Sequence, residues 1–245
     1  MTTIALVGPD GAGKTTQGLL LESTLPVPAK YLYMGLNYEA SNRLLPHNRL
    51  MLALRRRGRR APAIEPQRAT SAHPFGRAVA AGRALAKFVN LLGEGVYRQV
   101  LARRYERQGY VVILDRHFFS DYQPTGHPPA SLRARARSLR RAILARAMGK
   151  PDLMIHLDAP PAVMLARKGE GTLESLGRQR AAYRRLGELL PNFASVDSDR
   201  PAEDVGRDVL RIACDFLARS TGDPRLRGLE RASISSALPP ESTRR

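Results

Sequence analysis

The sequence predicts an α/β fold: a five-stranded parallel sheet with helices on both faces. Three observations lead there. Short apolar runs at 3–7, 30–34, 110–114, 153–157 and 193–196 alternate with stretches of helical periodicity. The first run leads into Gly8-Pro9-Asp10-Gly11-Ala12-Gly13-Lys14-Thr15-Thr16. This is a phosphate-binding loop (P-loop): a glycine, four residues, then glycine, lysine and a hydroxyl, with a strand before and a helix after. The length, 245 residues, is enough for one such domain with a sizeable core.

The first strand and its helix occupy Thr3 to about Leu25, with the helix over Lys14 to Glu22 and Pro26 and Pro28 breaking the chain after it. Lys30 to Met34 reads as the second strand. It opens into Gly35-Leu36-Asn37-Tyr38, where Asn37 and Tyr38 either touch a second substrate or form a structural turn. Residues 43–75 begin with a short apolar helix carrying Leu44, Leu45, Leu50, Leu52 and Leu54. They continue through Arg55-Arg56-Arg57, Arg59-Arg60 and three prolines. That remainder reads as an exposed excursion, which either covers the acceptor site or is a solvated basic loop.

Phe75 to Gln108 has helical spacing, and Gly93 and Gly95 suggest two helices meeting between them. Gly109 ends the second. Tyr110 to Leu114 is the third strand, with Asp115-Arg116 at its carboxyl end, where parallel sheets bind ligands. His117 to Pro129 is a polar and aromatic loop, and Ser131 can cap a basic helix over Leu132 to Met148. Leu153 to Leu157 is the fourth strand. A helix from Pro161 to Arg167, a break at Lys168-Gly169-Glu170-Gly171 and a second helix from Thr172 to Leu190 follow. This glycine-broken basic pair, about 167–180, suits a short lid over phosphates. Phe193 to Val196 is the last strand, and Pro201 to about Ala218 the last helix. Residues 220–245 read as a basic, polar, frayed tail, so that the P-loop domain would occupy 1–219 with an excursion on the side of the second substrate at about 35–95.

Composition bounds the function classes. Cys214 is the single cysteine, which excludes an intrachain disulfide framework and a cysteine-built metal site and makes the reducing cytoplasm the natural compartment. The N-terminus has no basic leader, and no apolar run approaches the roughly 18 residues of a membrane span, so no membrane partner is expected. The formal charge is +18, from 40 Lys and Arg against 22 Asp and Glu. Such a charge attracts polyanionic substrates or nucleic acid, or reflects an arginine-rich compositional habit. The basic residues lie in long helical stretches without a nucleic-acid motif, so nucleic acid is not expected as a partner.

The P-loop glycines Gly8, Gly11 and Gly13, with Ala12, let backbone N–H groups face phosphate oxygens at a helix N-terminus. Lys14 would reach the terminal phosphates of ATP, Thr15 would ligate Mg²⁺, and Thr16 completes the loop. No strand carries an Asp-x-x-Gly switch, and the chain lacks an Asn-Lys-x-Asp guanine reader. It is also short for a helicase or transporter ATPase. A small-molecule kinase is left. Phosphoryl transfer needs cations on the moving charge and a carboxylate to organise metal or acceptor. Lys14, Arg116 and Arg167, with Lys168 or Arg180, supply cations. Asp10 and Asp115 supply carboxylates, Asp115 within reach of Mg²⁺ directly or through water. A phosphate acceptor needs no strong base, so His117 is read as packing or acceptor shaping. For a hydroxyl acceptor, Asp10, Asp115 or His117 could take the proton.

At these residues the chain resembles the thymidylate kinase family of P-loop nucleoside monophosphate kinases. The aspartate-containing loop 8–16, Asp115-Arg116-His117-Phe118-Phe119-Ser120-Asp121-Tyr122-Gln123, Pro151-Asp152 through Pro160, Glu174 to Tyr183, and Val196-Asp197-Ser198 carry the likeness, over roughly residues 3–218. The resemblance implies an ATP:dTMP phosphotransferase using Mg²⁺, and a homodimer formed through the helices flanking the acceptor site. It implies Asp10 facing the acceptor sugar, Arg116 bridging the two phosphates, and Ser120, Tyr122 and Gln123 near the acceptor. Arg167 would lie near adenine or phosphate, and Asp197-Ser198 in the turn passing the adenine.

The donor half matches better than the acceptor half. The family's Thr-Arg-Glu-Pro-Gly after the second strand is replaced by Met34-Gly35-Leu36-Asn37-Tyr38. Its Asp-Arg pair before the third strand corresponds to the stretch near Gly93-Glu94-Gly95, read as lacking the arginine. Its Gly-Gly-Arg after Gln123 gives way to Pro124 and Thr125. Three readings therefore stay open: a dTMP kinase, a related kinase for another nucleotide, sugar or secondary metabolite, and a nucleotide- or nucleic-acid-binding module.

Overall fold

The structure is a computed structural model that describes residues 2–35, 43–46, 48–50, 53, 74–116, 139, 143, 150–188, 190–222 and 226. Five strands form one sheet: β1 (Thr2–Val7), β2 (Ala29–Tyr33), β3 (Val111–Asp115), β4 (Leu153–Asp158) and β5 (Phe193–Asp197). Their order is β2-β3-β1-β4-β5, and every pairing is parallel. The long helices among the described residues are α1 (Lys14–Thr24), α2 (Pro74–Arg107), α3 (Pro161–Lys168), α4 (Leu173–Gly187) and α5 (Ala202–Thr221). The strand boundaries agree with the sequence expectation to within one residue.

Buried runs such as Ile4-Ala5-Leu6-Val7 and Val112-Ile113-Leu114 work because both faces of a parallel sheet are covered. Alternate residues point to opposite faces. Ile4, Leu6, Tyr31, Ile113 and Ile155 pack with Leu21 of α1 and Val209, Ala213 and Leu217 of α5. Ala5, Val7, Leu32, Leu114 and Met154 pack with Ala102 of α2 and Leu186 of α4. The chain leaves central β1 for β2 and β3 on one side and for β4 and β5 on the other. The crevice at the carboxyl end of β1 is thus the switch point where open α/β sheets bind ligands.

Two sequence expectations change. The helix before β3 is unbroken from Pro74 to Arg107, passing straight through Gly93 and Gly95. The last helix starts at Ala202, with Pro201 as its cap, and runs to Thr221, past the expected end and into the start of the expected tail. Thr172 caps α4 as expected: its hydroxyl accepts from Ser175 N–H at 3.1 Å, and Ser175 Oγ accepts from Thr172 N–H at 2.9 Å, a reciprocal capping box. Apart from Leu139 and Ile143, which are helical, the helix expected over Leu132 to Met148 lies outside the described residues, as do most of the arginine-rich excursion and the tail from 227. Among the described residues no helix is long and apolar enough to cross a membrane.

Candidate active site

The P-loop joins β1 to α1. Gly11 has φ 89°, and a Cβ there would run into the backbone carbonyl of Met164 in α3, so glycine is required by both conformation and space. α1 starts with Gly13 as a cap that offers no side-chain acceptor, and its first turn has no acidic residue. Its first N–H groups and the dipole are therefore available to an anion. Lys14 is buried and donates from Nζ to the Pro9 carbonyl at 2.7 Å. Burial, then the charge of Arg116, lower its pKa to about 8, against the opposing pull of Asp115 and Asp10.

Three cations meet at one carboxylate oxygen. Arg116 pairs through Nη2 with Asp10 Oδ1. Lys168 Nζ lies 3.6 Å from the same oxygen, and Lys14 Nζ 3.9 Å. These residues come from the P-loop, the end of β3 and the end of α3, so the fold assembles what the sequence scatters. Burial works against the Arg116 cation, but Asp10, Tyr33, Asp115 and Tyr183 together outweigh it and raise its pKa. Arg116 also has φ 68°, the single non-glycine residue with positive φ among the described residues. That conformation costs about 1–2 kcal/mol and turns the side chain from the strand end toward Asp10.

Asp115 is fully buried at the end of β3, level with Leu6 and Tyr33 in the sheet. Its Oδ2 accepts from Thr15 Oγ1 and from Tyr31 OH, each at 2.7 Å. Its Oδ1 is buried without a hydrogen-bond partner among the described residues. An unmatched buried carboxylate oxygen beside a P-loop hydroxyl fits a hard cation or that cation's water. Among the described residues no group of three or more His, Cys, Asp or Glu could hold a metal. The fit is therefore to an ion held largely by a ligand's phosphates, the usual habit of Mg²⁺.

A cavity of about 320 Å³ opens beside the loop, lined among others by Gly13, Thr16, Gln17, Arg167, Ser198 and Arg200. Arg167 donates to the Ser198 carbonyl at 2.9 Å and lies 4.0 Å from Asp199. Ala12 also lines this space. Asp197 does not: its carboxylate accepts from Asp199 N–H at 3.0 Å, within its own turn.

Arg180, counted among the candidate phosphate cations, is placed elsewhere. It grips Asp158 with Nε at 2.5 Å and Nη2 at 3.0 Å, and Arg184 adds contacts at 2.6 and 3.2 Å. Burial pushes the Asp158 pKa up, but the two guanidinium groups prevail and hold it below its usual value. Next to it in β4, His156 is fully buried, stacked on Tyr183 at 5.5 Å, with Nδ1 3.3 Å from Ser195 Oγ. Burial lowers its pKa to about 4, only partly countered by Asp158. The folded value lies below the unfolded 6.5, so the unfolded chain binds the extra proton between these limits. Roughly 3 kcal/mol of stability should be lost as pH falls from 6.5 to 4. Thermal melts should show this loss in the native chain and a flatter profile in His156→Gln; equal slopes would overturn it.

A thymidylate kinase of Alteromonas mediterranea is 33% identical over 144 residues, covering 54% of this chain and 60% of that protein. A probable thymidylate kinase of Staphylothermus marinus is 33% identical over 123 residues, 46% of this chain and 57% of that one. The chain is thymidylate kinase-like. It spans about 60% of the length of these relatives, and no family model matches it.

In this thymidylate kinase-like chain several site residues escape a sequence reading. Arg98 lies one turn beyond Glu94, at the i, i+4 spacing that brings the two side chains together. It donates to the Gly35 carbonyl at 2.5 Å and to Glu94 at 3.2 Å. Glu94 also accepts from Asn48 Nδ2 at 2.8 Å and from Leu45 N–H at 3.2 Å, so this cluster ties Leu45 and Asn48 to α2. Tyr31 and Asp158 carried no local signal. Asn37, Tyr38, His117, Ser120, Tyr122 and Gln123 lie outside the described residues.

Proposed function

We propose that the chain is an ATP-dependent phosphotransferase of the thymidylate kinase-like class. It would transfer the γ-phosphoryl group to a nucleoside monophosphate, with dTMP as the first acceptor to test. One observation carries the reading: Lys14, Arg116 and Lys168 converge on Asp10 at the mouth of a P-loop, beside the Thr15–Asp115 pair. A focus of three cations at a helix N-terminus suits a phosphate whose negative charge is moving. Lys14 and the loop amides of residues 8–16 would hold the donor phosphates, and Arg116 would span donor and acceptor. Lys168 and Arg167 would close from α3, making the α3–α4 connection the lid. Thr15 and Asp115 would hold Mg²⁺, which when bound neutralises phosphate charge. The cavity between Thr16, Arg167 and Ser198 would take the base. Asp10 would exchange its cations for the acceptor.

One observation favours a different acceptor within the same class. Arg98 of α2, beside the end of β2, is already committed to Glu94 and the Gly35 carbonyl. Leu85, Val89 and Val100, each more than half exposed along α2, support the homodimer that the resemblance implies. A monomeric mass in solution would remove that part of the reading.

The deciding experiment is a phosphotransfer assay with ATP and Mg²⁺ over a panel of nucleoside monophosphates, sugars and other hydroxyl compounds. Turnover of dTMP supports the first acceptor. Turnover of another compound alone supports the kinase and replaces the acceptor. ATP binding with no acceptor turned over, together with salt-sensitive nucleic-acid binding, overturns the kinase reading.

A further inference from the structure

We propose that Tyr31 is a positioning residue for the metal-binding pair Thr15 and Asp115, an inference that rests on the donor-site reading above. The Tyr31 phenol, from β2, donates to Asp115 Oδ2 at 2.7 Å, and Thr15 from α1 donates to the same oxygen at the same distance. Two hydroxyl groups on one oxygen fix the carboxylate's rotation and leave Oδ1 buried and unmatched. Without the phenol, the carboxylate would have a single donor, and its plane could turn to share Thr15 between both oxygens.

The chain makes room for this ring deliberately. α1 carries Gly18 where the ring lies, and a Cβ there would stand 2.6 Å from Tyr31 Cε2. Glycine inside a helix costs about 1 kcal/mol relative to alanine, so its place here goes with the close approach of the ring. Tyr31 is itself buried. Tyr31 touches no reacting atom. It acts through Asp115, 84 residues away in sequence.

The test uses the full chain, Mn²⁺ as the metal probe and the β,γ-imido analogue of ATP. Analogue affinity is measured in EDTA. Mn²⁺ affinity of the protein–analogue complex is read from the free-ion electron paramagnetic resonance signal. Tyr31→Phe should weaken Mn²⁺ binding about tenfold, from the loss of one charge-assisted hydrogen bond, while metal-free analogue affinity stays within about twofold. A second variant, Gly18→Ala, leaves the phenol in place chemically but crowds its ring, and should weaken Mn²⁺ in the same direction. Unchanged Mn²⁺ affinity in a folded Tyr31→Phe overturns the inference and leaves the donor-site reading standing. An equal fall in both affinities also overturns it, since that is the signature of general loosening. A native chain that binds no analogue overturns the donor-site reading itself, and this inference with it.

Discussion

Lys14→Met is expected to lower phosphoryl transfer by about 10³-fold or more while the empty protein remains folded. The amine is the cation nearest the loop backbone, and a methionine of similar length fills the space without the charge. Stability should not suffer near neutrality, because burial already disfavours the ammonium in the empty chain, where the pKa is about 8. The pH dependence has a definite sign. The folded value lies below the ordinary lysine value of 10.5, so the unfolded chain holds more protons between the two. The native chain should therefore gain stability, on the order of 3 kcal/mol, as pH rises from 8 to 10.5. Lys14→Met should lack that gain, which denaturant titrations of both chains along the pH series would measure. Nucleotide phosphates would restore the charge. Binding at a pH just above 8 should then take up a proton, visible as a calorimetric heat that depends on the buffer's ionisation enthalpy. Transfer at the native rate by Lys14→Met would sink the phosphate site.

The parts of this site that were legible in the sequence are local ones. The P-loop is a contiguous pattern in which turn, amine and hydroxyl occur within nine residues. The β strands are short and continuously apolar, which parallel sheets permit, and the alternation with helices gave the layers. The parts not legible depend on long-range placement. Tyr31 reads as an ordinary strand aromatic until β2 and β3 pair and Tyr33 falls level with Asp115. Arg180 reads as a free helical cation until α4 packs over the end of β4 and Asp158 takes it. Gly93 and Gly95 read as a helix break, because each costs about 1 kcal/mol in a helix interior. Leu45 packs near Gly93, and Glu94 anchors Asn48 and Arg98, so tertiary contacts outweigh that local preference. Arg98 reads as one more helical arginine until α2 lies beside the end of β2 and the Gly35 carbonyl takes its guanidinium.

Arg116 should prove as costly to lose as Lys14, and its backbone offers a control that Lys14 lacks. Arg116→Ala is expected to reduce turnover about 10³-fold with little change in donor KM, since a group spanning two phosphates acts on charge that develops during transfer. Arg116→Lys should recover little of this, because a point charge on a flexible stem does not reproduce a planar fork. Lost stability could imitate lost catalysis, and here the two separate. Arg116 holds φ 68°, which alanine dislikes and glycine accepts. Both variants lose the partly exposed pair with Asp10, worth no more than about 1 kcal/mol. Arg116→Gly should therefore be about 1 kcal/mol more stable than Arg116→Ala, the reverse of the usual order in regular structure, and equally inactive. Denaturant melts of both variants read the first expectation, and initial rates read the second. If the glycine variant were both more stable and active, the guanidinium would have no part in transfer, and the strained turn at the end of β3 would need another explanation. If both variants were inactive but alanine were the more stable, the positive φ would not be the strain inferred here. Inactivity with glycine the more stable means that the strain at this position is held for the sake of where the guanidinium points.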